Sequence, residues 1–381
     1  MLFSIVVAGL FGAFVGSFLN VCVHRLPRNE SVVTPASRCY ACGAAVRWHD
    51  NLPILGWLIL KGRCRFCGSP FSIRYLLIEA LVGLFSAAAV WAVQSGALPP
   101  APWLTAAGLA PWMAQVVAGT GLLLLVWFLV VATLIDLDHY IIPDELTKSF
   151  QLIAPFAAML LDANRLFAWD SDGWMVSRSV FGELRVDGLG YLAKVGGMAG
   201  AACALLLLSL PAARYIYSTY CPESERWRSE DHLGFRWGVL WFVLVTVVQI
   251  GVLALLCWRA GRDHLVAAEA AVSLGQALMG SLVGWGSLYL VGLIGTITFR
   301  RNAMGFGDVK FLAPIGAWLG PIGVVFAFFG AAVAGSLIGI PMLFLGGKRV
   351  IPFGPYLAVG TILALAVGPA ACRALLAPLM H

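Results

Sequence analysis

The chain has 381 residues, of which 60% are hydrophobic and 12% are charged, and its mean hydropathy is +0.88. Soluble domains carry roughly 25% charged residues, so this composition excludes a soluble globular fold and predicts an all-α polytopic membrane protein. The net charge of +6 does not indicate a nucleic-acid-binding protein, because the basic residues lie mostly at the ends of apolar segments, where they report membrane topology.

Apolar segments long enough to cross a bilayer recur along the chain and predict about 8–10 transmembrane helices. The first precedes Arg25 and Arg28, which is the wrong charge order for a cleaved signal peptide, so we interpret it as a helix whose N-terminus is outside. Gly12 and Gly16 form a small-xxx-small pair suited to close helix packing, although a helix that is merely rich in glycine is an equally good interpretation. The predicted helices span about 2–23, 75–94, 112–135, 148–162, 188–211, 237–258, 270–298, 311–320, 322–346 and 353–372.

These spans divide the chain into five regions. They are a first transmembrane helix (1–23), a cytoplasmic cysteine loop (24–74), helices with a first aspartate motif (75–162), a region with extra helices and polar loops (163–270) and helices with a second aspartate motif (271–381).

Counting crossings from an outside N-terminus places the cysteine loop, Asp136, Asp308 and the charged loop 212–236 on one face of the membrane. The short segment 311–320 is the decisive element in this count. If it does not span, the last segments invert and Lys348 lies outside.

Four of the nine cysteines form two Cys-x-x-Cys pairs in the cysteine loop, each followed by glycine. The pairs are separated by 21 residues, which is close to the spacing of two-knuckle zinc sites. Four thiolates suit tetrahedral zinc in a closed structural site, whereas two disulfides would require an oxidising compartment. Because the crossing count places the loop in the cytoplasm, we expect structural zinc, held by Cys39, Cys42, Cys64 and Cys67.

Two aspartates lie at the ends of apolar segments far apart in the chain. Asp136 ends the third segment, and Asp308 follows the seventh in the sequence Gly305-Phe306-Gly307-Asp308, where the glycines allow backbone or substrate to approach closely. Ionisable groups at a membrane boundary are costly unless they are paired or solvated, which makes them functional-site candidates. Two carboxyls that share a proton can activate water and polarise a carbonyl, so the pair predicts an aspartyl hydrolase.

Neighbouring residues leave alternatives open. Asp138 is a second candidate for the first catalytic position, or a substrate-binding or solvent-facing residue. Asp144 follows Pro143 and precedes a helix, which favours a helix N-cap. Lys310 could stabilise charge near Asp308, but a lysine at a membrane border is more often a topology anchor.

Five motifs in order resemble the bacterial type IV prepilin peptidases, aspartyl proteases of the Gly-x-Gly-Asp kind. They are Gly16-Ser17-Phe18-Leu19-Asn20-Val21 with His24-Arg25-Leu26-Pro27, the paired Cys-x-x-Cys loop, Ile135-Asp136-x-Asp138-His139 with Ile142-Pro143-Asp144, Gly305-x-Gly307-Asp308-x-Lys310, and Ile351-Pro352-Phe353-Gly354-Pro355-Tyr356. The resemblance covers roughly 1–150 and 300–360. It implies a catalytic pair of Asp136, rather than Asp138, with Asp308. The supporting residues would be Gly305, Gly307, Lys310, Asp138 and Asp144.

The resemblance further implies a multi-pass enzyme of the bacterial inner membrane with its active site facing the cytoplasm. It would cleave the short basic leader of type IV prepilins or type II secretion pseudopilins after a glycine. Many members then methylate the new N-terminus with S-adenosylmethionine, an activity associated with the cysteine loop and with a Gly-Lys before its third cysteine. Here these residues are Gly62 and Arg63, and arginine keeps the charge but not the geometry.

The two aspartates are 172 positions apart, beyond the usual family spacing, which predicts an insertion within about 163–270. Its loop 212–236 could contact substrate or secretion partners, or be a solvated connector. Two other functions stay open: a peptidase without methyltransferase activity, and a non-enzymatic transporter or scaffold with a zinc loop. Carboxylates at helix ends on one face favour the enzyme, since transporters typically place such charges at the bilayer midplane.

Overall fold

The structure, a computed structural model, describes residues 2–161, 188–221, 229–260, 265–344 and 352–376. Within these ranges the chain forms helices and isolated β-bridges but no strand, which confirms the predicted all-α class. The α-helices of this part of the chain are α1 (Leu2–Arg25), α2 (Leu55–Leu60), α3 (Arg74–Gln94), α4 (Pro102–Ala106), α5 (Pro111–His139), α6 (Asp144–Ala158), α7 (Gly188–Tyr220), α8 (Ser229–Ala260), α9 (Leu265–Phe299), α10 (Phe306–Phe344) and α11 (Gly354–Leu376).

Seven of the described helices are long and apolar enough to cross a membrane, namely α1, α3, α5, α7, α8, α9 and α10. A shorter apolar segment, Gly354–Val367, lies in α11. Large apolar side chains such as Phe3, Leu208 and Phe329 are exposed on these helices, as expected of surfaces that face lipid. The protein is therefore a multi-pass membrane protein.

Helix α10 reverses direction at Gly320, whose φ of 67° and ψ of 175° are not helical. This backbone conformation is essentially restricted to glycine. The two halves then face each other, since a Cβ added at Gly316 would lie 3.1 Å from the Val324 side chain. The predicted segments 311–320 and 322–346 are thus separate elements. Counting the two halves of α10 separately and adding α11, the described part of the chain has nine apolar segments, within the predicted 8–10.

Helix α6 runs from the end of α5 back to the opposite end of the bundle. There the Ala101 N–H, just before α4, donates to Leu160 O at 3.0 Å. The predicted helix 148–162 is therefore present, but it begins four residues earlier, at Asp144.

The second half of α10 returns to the end of the bundle that carries Asp136, because Gly354 at the start of α11 contacts that residue. Segment 311–320 therefore leads away from this end of the bundle and segment 322–346 leads back to it. Together they keep the crossing count as predicted. The connection that contains Lys348 lies outside the described residues.

Small residues let three helix pairs approach closely. A side chain at Gly12 or Gly16 of α1 would clash with α3, which supports the predicted packing role of this pair. Gly280 of α9 faces Gly316 of α10 in the same way, and Gly360 of α11 faces α10. In lipid, where apolar burial gives little drive for helix association, such contacts supply the van der Waals packing that holds helices together.

Helices α7 and α8 lie in the predicted insertion. The prediction of a charged loop over 212–236 is wrong in extent, because α7 continues to Tyr220 and α8 begins at Ser229. Arginine and glutamate are good helix formers, so a helix can continue beyond its apolar span. Residues 162–187 and 222–228 lie outside the described residues.

Helix α8 packs on both aspartate-bearing regions. Trp241 Nε1 donates to Lys148 O in α6 at 3.3 Å. Near the start of α8, a Cβ added at Gly238 would lie 2.8 Å from the Phe306 ring and 2.9 Å from the Lys310 side chain. Helix α8 thus forms part of the wall that holds the first turns of α10.

Candidate active site

Asp136 lies in the last turns of α5 and is only 5% exposed. The predicted helix 112–135 stops just before it, whereas the observed helix includes it and continues to His139. Tyr140 then adopts a left-handed conformation, and its N–H donates to Asp136 O at 2.9 Å and caps the helix. The helix therefore carries the Asp136 carboxyl on a rigid element.

Asp308 lies in the first turn of α10, partly exposed, and its N–H donates to Gly305 O at 3.2 Å. A Cβ added at Gly305 would lie 3.3 Å from the Asp308 carboxyl, and one at Gly307 would lie 3.6 Å from Ile142. The glycines thus let the start of α10 dock against the turn that follows α5. This docking brings Asp308 within electrostatic range of Asp136.

Gly354, the first residue of α11, is the third part of the site. Its N–H donates to Asp136 Oδ2 at 2.9 Å, although the two residues are 218 positions apart. A helix N-terminus attracts negative charge, so this contact is suited to hold a carboxyl in place. A Cβ at Gly354 would lie 2.7 Å from the same oxygen, which leaves room only for glycine. The sequence analysis did not predict this contact. The motif that runs from Ile351 through Gly354 was the signal that could have predicted it. Ile351 itself lies outside the described residues.

Two carboxyls arranged in this way can carry out acid–base chemistry on a bound peptide. Like charges at short range cannot both ionise easily, so such a pair shares one proton. The ionised member can take a proton from water while the protonated member polarises a carbonyl. The assignment of Asp136 and Asp308 to these roles stays a prediction.

Asp138 forms an ion pair with the start of α3. Arg74 Nη1 lies 2.7 Å from Asp138 Oδ1, and Arg74 is the first residue of that helix. The pair joins the end of the cysteine loop to the end of α5. Its predicted supporting role in catalysis stays a prediction, beside this observed structural one.

Asp144, at the start of α6, and Lys310, in α10 two residues after Asp308, form an ion pair. Lys310 Nζ lies 2.5 Å from Asp144 Oδ1 and 4.5 Å from the centre of the Phe306 ring, and Lys148 Nζ lies 3.0 Å from Asp144 Oδ2. Burial raises the pKa of the Asp144 carboxyl, but the hydrogen bond and charge of Lys310, together with those of Lys148, hold that pKa below its ordinary value.

This pair corrects two interpretations. Asp144 is not an N-cap, because Pro143 occupies that position and no side chain caps the helix. Lys310 is not a solvent-facing anchor, since it is buried with 6% of its surface exposed. Both side chains are drawn to each other because a buried ammonium requires an anionic partner. Whether they support catalysis stays a prediction.

The four cysteines of the loop converge, and they are free thiols. The sulfurs of Cys39, Cys42, Cys64 and Cys67 all lie within 4.8 Å of one another. The distance between the Cys39 and Cys67 sulfurs is 3.8 Å. Tetrahedral zinc with Zn–S bonds of about 2.3 Å has S–S edges of about 3.8 Å, so the donor set fits a metal of this kind.

The two Cys-x-x-Cys pairs have the same local fold. The Gly43 N–H donates to Cys39 O at 2.9 Å, and the Gly68 N–H donates to Cys64 O at 3.0 Å. The φ angles of these glycines are 71° and 70°, a conformation that side chains rarely adopt. The glycine after each pair is therefore required by the turn that presents the sulfurs.

Hydrogen bonds shape the electrostatics of this cluster. The backbone N–H groups of Cys67 and Phe66 donate to the Cys64 sulfur and lower the pKa of that thiol to about 6. Arg65 Nε donates to Asp50 Oδ2 at 2.7 Å, and this bond holds the pKa of the Asp50 carboxyl below its ordinary value. The acidic Cys64 thiol favours the thiolate form that metals bind.

Gly62, before the third cysteine, is buried against Trp57. A Cβ added there would lie 2.9 Å from the indole ring, so the contact requires glycine. Arg63 has an exposed side chain. The association of Gly62 and Arg63 with methylation stays a prediction.

The fold and site together define a class: a multi-pass membrane protein with two carboxyls converging at one end of the bundle and a four-cysteine cluster in an adjacent loop. Residues 10–93 match the Bacterial Peptidase A24 N-terminal domain, and residues 237–340 match the Type IV leader peptidase family. Over these two stretches the chain is similar to the type IV leader peptidase family.

Three relatives illustrate the similarity. A Prepilin leader peptidase/N-methyltransferase of Myxococcus xanthus is 41% identical over 36% of this chain and 35% of its own length. A protein of the same name from Aeromonas hydrophila is 26% identical over 96% of this chain and 91% of its own length. A Type 4 prepilin-like proteins leader peptide-processing enzyme of Escherichia coli is 25% identical over 94% of this chain and 91% of its own length. No solved structure matches the chain.

Proposed function

We propose that this protein is a membrane aspartyl endopeptidase that removes the N-terminal leader of type IV prepilins or type II secretion pseudopilins. The observation that carries the proposal is the convergence of three distant motifs, in which Asp308 docks beside Asp136 and Gly354 hydrogen bonds to Asp136. The names of its relatives, which specify prepilin leader peptidases, support the substrate class.

The proposal includes N-methylation of the new N-terminus with S-adenosylmethionine as methyl donor. The same names, which include N-methyltransferase, support this second activity. We assign it to the cysteine loop, with structural zinc on the four sulfurs that lie within 4.8 Å of one another. When bound, the zinc would tie the two knuckles together and so stabilise the loop.

We further propose that the protein lies in the bacterial inner membrane with the aspartate pair facing the cytoplasm. Arginines flank this end of the bundle, as Arg25 ends α1, Arg28 follows it, and Arg300 and Arg301 precede α10. An excess of basic residues at one end of membrane helices supports a cytoplasmic location for that end.

The catalytic pair is tested by replacing each aspartate with asparagine, which keeps the size but removes acid–base function. We expect Asp136→Asn and Asp308→Asn each to lower the rate of prepilin cleavage by about 10²–10⁴-fold, while the protein still inserts. Glu145→Gln, at an exposed carboxyl in the first turn of α6, is the matched control and should cleave at the wild-type rate. Wild-type cleavage by either asparagine variant would refute the pair.

A peptidase without methyltransferase activity is the alternative that Arg63 favours, since this residue replaces the lysine of the family motif. Mass spectrometry of the cleaved product distinguishes the two functions. A product with a methyl group on its N-terminal nitrogen supports the bifunctional enzyme, and an unmodified product supports the alternative.

A further inference from the structure

A large cavity lies between α1, the cysteine loop and α3. Its volume is about 1060 Å³, and neither catalytic aspartate lines it. Phe14 and Phe18 of α1 and Trp57 of the loop form apolar parts of its wall. Ligand pockets typically measure about 300–1,000 Å³, so this cavity has room for a nucleoside-sized molecule together with the end of a peptide.

Glu79 of α3 lines the cavity and is only 8% exposed. Its carboxyl accepts hydrogen bonds from the Ile54 N–H, at 2.7 Å, and from the Ser17 hydroxyl. Among the described residues no lysine, arginine or histidine forms an ion pair with it. A buried carboxyl without a cationic partner is costly, which makes Glu79 a candidate to bind a cationic ligand.

Trp57 provides a second, independent observation in the same cavity. Its Nε1 is buried and has no hydrogen-bond partner in the described structure. Because this N–H is covered by protein, the part of Trp57 that a ligand in the cavity would meet is its indole ring. Aromatic faces also attract cations, and S-adenosylmethionine combines a sulfonium cation with acceptor groups. The residues present therefore fit this methyl donor.

The cavity lies close to the aspartate pair. His24 of α1 lines it and is within electrostatic range of His139, the last residue of α5. Asp136 stands in the last turns of that helix. The end of α5 that carries Asp136 therefore lies beside the cavity.

We propose that Glu79 binds the α-ammonium group of the cleaved substrate in this cavity and takes its proton before methyl transfer. This inference rests on the proposed function. One proton passes from the ammonium to the Glu79 carboxylate, and the freed lone pair on nitrogen forms the N–C bond. The C–S bond of the sulfonium breaks with its electrons staying on sulfur. The products are a methylated ammonium and a thioether, and Glu79 releases its proton to water.

The test compares full-length Glu79→Gln with the wild type in detergent. Glutamine keeps an acceptor for the Ile54 N–H but cannot take a proton. We expect methylation of a cleaved prepilin to fall by at least about 10²-fold, with prepilin cleavage and the metal content of the cysteine cluster unchanged. A synthetic peptide with a free α-amine should bind more weakly to the variant, whereas its N-acetylated form should bind both proteins equally. Glu145→Gln is the control and should behave as the wild type.

The outcomes separate this inference from the proposed function. If the wild type methylates and Glu79→Gln does so at the same rate, the role of Glu79 is refuted while the proposed function stands. If Glu79→Gln loses metal or cleavage, Glu79 is a structural clamp on Ile54, and the inference is again refuted. If the wild type cleaves without methylating, the methylation part of the proposed function fails and this inference falls with it.

Discussion

The ion pair between Asp144 and Lys310 makes a prediction at the level of single residues. Asp144→Asn leaves the buried Lys310 without its ion-pair partner. Breaking a fully buried pair costs about 3–5 kcal/mol, and we expect about 1–3 kcal/mol here because Asp144 is partly exposed. Lys148→Met removes only the more exposed partner and should cost less than about 1 kcal/mol. Thermal unfolding of the detergent-solubilised protein measures both, and equal losses in the two variants would contradict the prediction.

The same contact predicts a dependence of stability on pH. Because the pKa of Asp144 is lower in the folded protein than in the unfolded chain, its ionised form stabilises the fold above the unfolded pKa of about 4. This contribution is lost as the pH falls through the lower, folded pKa. We therefore expect the unfolding temperature to drop more steeply below about pH 4 in the wild type than in Asp144→Asn. Parallel curves for the two proteins would rule out this contribution.

Residues that stand close in sequence have distant and different partners in this site. Asp136 accepts from Gly354, Asp138 pairs with Arg74, and Asp144 pairs with a lysine of α10. The sequence pattern could mark these carboxyls as candidates, because ionisable groups at membrane borders are rare. It could not assign their partners, which depend on how helices far apart in the chain pack together.

At the level of helices, glycine packing can be tested with two positions six residues apart in α9. A side chain at Gly280 would clash with the backbone of α10 at Gly316, whereas Gly286 faces open space. We expect Gly280→Ala to push α9 and α10 apart and to lower the unfolding temperature. Alanine is a better helix former than glycine by about 0.5–1 kcal/mol, so Gly286→Ala should be neutral or stabilising.

The comparison of these two variants isolates packing from helix propensity, since both make the same substitution in the same helix. Thermal unfolding in detergent is the measurement. If Gly280→Ala were as stable as Gly286→Ala, the close approach of α9 and α10 would be wrong.

Hydropathy predicted the helices of the membrane domain well but their ends less well. The prediction stopped the third helix at 135 and the fifth at 211, whereas α5 reaches His139 and α7 reaches Tyr220. Apolar composition marks the part of a helix that lies in lipid. A helix ends where its last carbonyls find other donors, as at Tyr140, and that depends on local hydrogen bonds rather than on polarity.

The reversal of α10 shows where a sequence signal did suffice. The prediction placed the boundary between two apolar segments at 320–322, and the structure breaks the helix at Gly320. The position of α11 could not be predicted from this signal, because it depends on the contact between Gly354 and Asp136.

In the whole molecule, the cysteine loop and the aspartate pair are neighbouring but separate units. The loop rests on α1 and α3, whereas the pair is built from α5, α10 and α11. The ion pair between Arg74 and Asp138 joins the two units at a partly exposed position, where such pairs contribute about 0–1 kcal/mol. A disturbance of the loop should therefore reach the aspartates only weakly.

This separation predicts the effect of removing the metal. Replacing Cys39 and Cys64 with serine removes one sulfur from each knuckle, and we expect methylation to fall on the order of tenfold or more, with cleavage nearly unchanged. Cys257→Ala, at a buried cysteine of α8 outside the cluster, is the control and should keep both the metal and both activities. Equal loss of methylation and cleavage in the double variant would show that the two units are not separate.

Acidification should have the same effect as these substitutions. Metals bind the thiolate, and the pKa of Cys64 is held at about 6 by the backbone N–H groups of Cys67 and Phe66. Metal retained after dialysis should therefore decrease as the pH is lowered, because protons compete with the metal for the four sulfurs, and methylation measured after return to neutral pH without added metal should decrease with it. Restoring zinc should restore methylation. Metal content that does not change with pH, even in acid strong enough to protonate thiolates, would contradict a thiolate site in this loop.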